Sequence, residues 1–225
     1  MLIHGFGCDS RFWGPQLPAL DGYELCVPDL PYHGGPVEGV ARTLEGLAEW
    51  LAKTHLSSPA VLIGHSLGGM IALQLAREHP AVVEGLALVD SFPSLELNSQ
   101  HLPGLYHEPM NAQLLAWVER TREGIIAAMP QATYEEIWPS IAAFDARPWL
   151  TEIRCPVLGI YGGRGRYGAD AAAQLRRDLA LDGLHGPVTV RVVPAAGHFV
   201  NIECAAEVNR AIVAWLERLP GGTNM

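Results

Sequence analysis

The chain has 225 residues, 15 basic and 24 acidic, for a formal net charge of −9. That length suits one domain with one core, and 49% hydrophobic against 17% charged residues excludes both a disordered chain and a solvated coiled coil. The acidic balance, with no cluster of Lys and Arg, argues against nucleic acid and anionic membrane surfaces as partners. The most apolar stretch, 60–76, is interrupted by His65, Ser66 and Gln74 and is too short to span a bilayer. No basic segment followed by an apolar run opens the chain, so a cytoplasmic location is expected. Cys8, Cys26, Cys155 and Cys204 form neither CxxC pairs nor a disulfide framework.

In chain order, short β-like runs at 2–4, 23–27, 60–64, 85–89, 157–161 and 188–193 alternate with helical patterns at 44–53, 69–78, 169–181 and 205–218. This alternation predicts an α/β fold, a mostly parallel sheet with helices on both faces. Runs such as VLI and LALV, apolar at every position, suit strands buried on both sides. In the final helix Val208, Ile212 and Leu216 recur every four residues and make one stripe. The regularity breaks over 91–155, far longer than the dozen or so residues a crossover needs. That stretch opens loop-like, turns helical at 111–129, and offers a second helical pattern at 134–144 that Pro139 interrupts. A structureless loop of this size is improbable, so 91–155 is expected to be a small helical cap inserted into a single domain spanning 1–225.

The strongest chemical signal is Gly64-His65-Ser66-Leu67-Gly68. This G-x-S-x-G directly follows the apolar run AVLI and leads into a helical segment. Flanking glycines permit a sharp strand-to-helix turn that lifts the serine hydroxyl above the sheet edge. A phosphate loop is excluded, since the Lys-Ser/Thr ending is missing. A nucleophilic serine needs a base, and His198 follows the last expected strand, on the edge of the sheet where Ser66 lies. His65 adjoins the nucleophile and His4 precedes a glycine turn, and both read as structural. No histidine shows metal-ligand spacing, so no metal or cofactor is expected. Two backbone donors could meet a developing oxyanion: Leu67, the residue after the nucleophile, and Phe6 in the His4-Gly5-Phe6-Gly7 turn.

Taken together, HGFG, Asp29-Leu-Pro-Tyr-His-Gly, GHSLGG, the Gly85-Leu-Ala-Leu-Val-Asp strand and Gly197-His198-Phe199 resemble the α/β-hydrolases, in the family's order, across about 2–219. The resemblance implies a Ser–acid–His triad working through an acyl-enzyme. Dehalogenase and epoxide-hydrolase relatives carry Asp at the elbow, and Ser66 argues against both. The family's usual acid slot, two residues beyond a glycine after the 157–161 strand, is occupied here by Gly165. Two candidates remain: Asp90, at the end of the preceding strand as in some lipase-like relatives, and Asp170, at the start of a helical run where aspartate is commonly a cap. Arg164 and Arg166 are expected in a solvated loop.

The family also opens with two antiparallel strands and a hairpin, whereas this chain begins inside the strand that ends in HG. Either it is naturally short or its start is missing. Residues 23–27 would then form an open edge strand, with Tyr23, Leu25, Cys26 and Val27 free to pair in a homodimer.

The activity implied is hydrolysis of carboxylic esters of small to medium apolar substrates. Some of Phe6, Phe92, Tyr106, Trp117, Trp138, Phe144, Trp149 and Phe199 would line the pocket while the rest fill the cap. Carbon–carbon bond hydrolysis or a lyase step on the same triad, and a ligand-binding homologue that has lost catalysis, are the alternatives.

Overall fold

A computed structural model describes residues 1–36, 38–97, 110–164 and 171–220. Five parallel strands form one sheet in the order β1-β2-β3-β4-β5: Leu2–Ile3, Ala60–His65, Val83–Val89, Val157–Gly162 and Val188–Val193. Spatial order equals chain order, so every connection is a crossover, and crossovers between parallel strands require the helices that the alternating sequence pattern anticipates. The registers Ile3↔Gly64, His65↔Val89, Val89↔Ile160 and Gly162↔Val193 align the carboxyl ends of all five strands along one edge.

Alternation along β3 shows why both faces are covered. Leu86 and Leu88 enter one core with Leu62, Met70, Ile71 and Leu75, while Ala87 and Val89 enter a second with Ile63, Leu158 and Ile160. The first core is closed by α1 (Leu44–His55) and α2 (Leu67–Glu78). Thr43 starts α1 by accepting the Gly46 N–H at 3.0 Å, a cap that contributes about 1 kcal/mol. The second core is closed by α7 (Ala205–Leu216), whose Val208, Ile212, Trp215 and Leu216 are all buried, each stabilising by roughly 1.5–3 kcal/mol. Trp13 and Leu20, from two short 3₁₀ turns, complete that side.

Between β3 and β4 lie α3 (Ala112–Ala128) and α4 (Gln131–Ala143). α4 runs through Pro139 rather than stopping there, contrary to the sequence expectation. Ile137 and Ile141 on either side are 0% and 3% exposed, and their burial offsets the roughly 3 kcal/mol that an interior proline costs. Beyond β4, α5 (Ala172–Asp178) ends earlier than the periodicity predicts because Ala180 turns left-handed, φ 55°, before a 3₁₀ turn over Leu181–Gly183. The short α6 (Val200–Glu203) precedes α7.

The expected strand at 23–27 is not formed. Its described tie to the sheet is one rung, Leu2 N–H to Cys26 O at 2.8 Å. Pro28 follows and has no N–H to extend a ladder, and Tyr23, Leu25 and Val27 pack instead against the second core. That removes the strand through which two copies were expected to pair. No described helix is long and apolar enough to cross a membrane.

Candidate active site

Ser66 caps the carboxyl end of β2 with φ 52° and ψ −119°, a conformation that costs on the order of 1–3 kcal/mol and persists only where its surroundings enforce it. The enforcement is visible. Ser66 N–H donates to Val89 O at 3.1 Å, and its carbonyl accepts from Ser91 Oγ at 2.6 Å and from the N–H groups of Gly69 and Met70 as α2 begins. A Cβ on Gly64 would lie 2.3 Å from the Gly68 carbonyl, and one on Gly68 would lie 2.1 Å from Ile3 O. Only glycine fits this turn at both places. Leu67 is the first residue of α2, where an N–H has no partner within the helix.

The HGFG turn is packed directly onto this elbow. A Cβ on Gly5 would come within 3.2 Å of Ser66 Cβ and 2.9 Å of His65 Nδ1. The turn closes through Cys8 N–H to Gly5 O at 3.2 Å, with Gly7 at φ 65°. His4 anchors its base: Nδ1–H donates to Gly5 O and Nε2 accepts from Leu30 N–H, both at 2.9 Å. Burial holds His4 below the usual imidazole range, in keeping with a neutral ring used as a strut.

Asp90 follows β3 with φ 43°, its N–H on Ile160 O at 2.7 Å. The Asp90 side chain is 1% exposed, with Oδ1 accepting from Gly162 N–H at 2.9 Å and Oδ2 from His198 Nδ1–H at 2.8 Å. A Cβ on Gly162 would lie 2.1 Å from Gly197 O, so the end of β4 presses against the loop that carries His198. The structure therefore brings Asp90 to His198, whereas Asp170, Gly165, Arg166 and Tyr106 lie outside the described residues.

Three supports were not anticipated. His65 Nε2–H donates to the His198 carbonyl at 2.9 Å, with the two rings 4.7 Å apart. Burial first, then the neighbouring His198, pushes His65 well below the imidazole range. The elbow neighbour is thus a neutral brace on the histidine loop. Second, Arg164 is not in a solvated loop. Its Nη2 lies 2.5 Å from Glu203 Oε2 and its Nε donates to Ala195 O at 3.0 Å, because Glu203, 3% exposed, needs a counter-charge. Glu203 Oε1 accepts the Gly197 N–H at 3.1 Å, one residue before His198. Third, Ser91 holds the Ser66 carbonyl. The Arg–Glu pair joins distant parts of the chain and leaves no local signal, whereas the imidazole next to Ser66 in sequence is the one signal from which the His65 brace could have been found.

The aromatics divide as the sequence left open. Phe199 packs on His65, His198 and Phe12, and Trp117 on Phe12. Phe6 meets Tyr134 and Trp138. Phe92, Phe144 and Trp149 belong to the main core. A cleft of about 660 Å³ against α7 is lined by none of Ser66, Asp90 and His198. Among the described residues no group of three or more His, Cys, Asp or Glu could hold a metal ion.

Residues 1–211 match the model of the family described as "Alpha/beta hydrolase family". The chain is 30% identical over 195 residues to a pimeloyl-[acyl-carrier protein] methyl ester esterase of Neisseria meningitidis, covering 72% of this chain and 73% of the relative. It is 25% identical to the (E)-2-((N-methylformamido)methylene)succinate hydrolase of Acinetobacter baylyi over 98% of this chain and 90% of that one. Among solved structures, a thermophilic esterase from Thermogutta terrifontis is similar with TM-score 0.72 and 26% identity, over 96% of this chain and 88% of the other.

Proposed function

Because the chain belongs to the alpha/beta hydrolase family, we propose that it is a serine hydrolase that cleaves carboxylic esters of small to medium apolar substrates through an acyl-enzyme. Ser66 Oγ attacks the ester carbonyl while His198 Nε2 takes its proton. Asp90, on the opposite nitrogen at 2.8 Å, keeps the tautomer that leaves Nε2 free to accept and stabilises the imidazolium that forms. The tetrahedral oxyanion is met by the N–H groups of Leu67 and Phe6, a reading that the close packing of Gly5 against Ser66 supports. Collapse expels the alcohol, which leaves with the proton from His198. Water then attacks the acyl-enzyme with His198 as base, and the acid and the free serine are released.

The observation that carries this reading is the buried Asp90–His198 hydrogen bond beside the strained Ser66 turn. Relatives named as esterases support the choice of bond. A panel of chromogenic esters of graded acyl length, run with Ser66→Ala protein as control, tests it. Turnover that needs Ser66 and survives a chelator is expected. Activity that persists in Ser66→Ala, or that a chelator abolishes, would overturn it.

A further inference from the structure

β5 is the last strand of the sheet and pairs only with β4. α7 lies further in: near its end, atoms of Trp215 and Leu219 stand 3.0 Å from the place a Cβ would occupy on Gly85, early in β3. The outer margin of that sheet face is left uncovered, and the cleft of about 660 Å³ runs along it. Its floor is Leu158, Val193 and Trp215, all members of the second core. On α7 the lining positions recur at steps of three and four residues from Glu207 to Arg218, so one whole side of the helix forms a wall.

The rim carries Arg191 on the strand wall and Arg210 and Arg218 on the helix wall, against one acid, Glu207. Among the described residues none of these arginines is in an ion pair. In a chain of net charge −9 that is a local excess of positive charge around apolar ground, complementary to an anion with an apolar body.

Size and charge choose among such occupants. A helix as long as the twelve residues of α7 would be about 18 Å long and 10 Å wide, roughly twice the volume of the cleft. The cleft instead falls within the range that encloses one small molecule. A second copy related by a two-fold axis would set these arginines against their own equivalents, a like-charge contact. A bilayer surface is flat and does not reach the floor formed by Leu158 and Trp215, and an anionic one is repelled by the overall charge.

We infer that the cleft between β5 and α7 binds a single-chain amphiphile with a carboxylate head, the chain lying along Leu158, Val193 and Trp215 and the carboxylate meeting the arginines of the rim. The site stands apart from the serine-hydrolase reading, because none of Ser66, Asp90 and His198 lines it.

The test titrates decanoate, decanol and decyltrimethylammonium, each below its micelle-forming concentration, into wild-type protein by calorimetry. Decanoate should bind saturably and roughly 5–30-fold more tightly than decanol, the gain from one or two exposed charge contacts, and the cation should bind most weakly. High salt should shrink the difference. Arg191, Arg210, Arg218 and Ala214 are all exposed, so substitutions there should leave the fold intact. With Arg191→Gln, Arg210→Gln and Arg218→Gln combined, the decanoate-to-decanol ratio should fall to near one. Ala214→Trp fills the cleft and should abolish binding of both. No saturable binding of decanoate, equal affinity for decanol in wild type, or decanoate binding that survives Ala214→Trp overturns the inference. So does a dimer in light scattering that Ala214→Trp dissociates, since that would seat a second copy in the cleft.

Discussion

Glu203 and Arg164 lie 2.5 Å apart, Oε2 to Nη2, and together they clamp the segment that carries His198: Glu203 holds the Gly197 N–H and Arg164 the Ala195 carbonyl. The contact is an ion pair rather than an aligned hydrogen bond, and its carboxylate is nearly inaccessible to water. Removing one charge from such a pair leaves the other buried without compensation.

Glu203→Gln is therefore expected to lower both stability and turnover. Arg164 keeps some contact with solvent, so the stability loss should fall near the lower end of the buried-pair range, about 3 kcal/mol. On the proposed mechanism the pair positions the base, His198, rather than the substrate, so kcat should fall while KM changes little. Arg164→Lys should recover part of kcat. Urea titration and steady-state kinetics on both variants read the two effects separately, and an unchanged kcat in Glu203→Gln would limit the pair to structure.

Asp90→Asn keeps the volume and the Gly162 contact but removes the charge that orients His198. On the scale of serine-protease triads, kcat should drop about 10³–10⁴-fold with KM little affected. A drop below about tenfold would mean that His198 has another partner for its tautomer.

The positions of Ser66, Asp90 and His198 were legible because each ends or follows a short apolar strand, and parallel strands deliver their carboxyl ends to one edge. The two helices between β3 and β4 were legible from spacing alone, although Pro139 looked like a break until the burial of Ile137 and Ile141 was known. Residues 23–27 have a strand's composition, yet Pro28 and the second core decide otherwise, and neither effect is a property of the run itself. The Arg164–Glu203 clamp and the approach of Arg122 to Gly7 arise from the fold bringing distant segments together, which no local pattern encodes.

Stability should fall steeply on acidification. His4, His33 and His65 are buried and held below the ordinary imidazole value, His33 down to about 3, with burial the leading cause in each. Below about pH 6.5 the unfolded chain protonates these rings while the native state does not, so each full proton costs about 1.4 kcal/mol per pH unit. Each ring that stays neutral in the native state adds up to about 1.4 kcal/mol per pH unit to the fall, His33 down to about pH 3, and the contribution vanishes above about pH 7.5. Denaturant melts across this range measure it, and a flat profile through pH 5 would contradict neutral buried histidines.

Tyr161 carries a buried hydroxyl with no hydrogen-bond partner among the described residues, and burial, followed by the Asp90 charge, pushes its ionisation up. Tyr161→Phe deletes an unsatisfied polar group and keeps the ring that packs on Phe92. Thermal unfolding should show a change between neutral and about 1–2 kcal/mol more stable. A clear loss of stability would mean the hydroxyl has a partner in solution.

The most direct test of the account is where a covalent adduct forms. Wild-type protein treated with a fluorophosphonate and mapped by peptide mass spectrometry should carry one adduct on Ser66, with loss of ester turnover in step with labelling. Asp90→Asn and His198→Ala proteins should label far more slowly. An adduct on another residue, or full ester turnover in protein labelled at Ser66, would contradict the assignment of Ser66 as nucleophile.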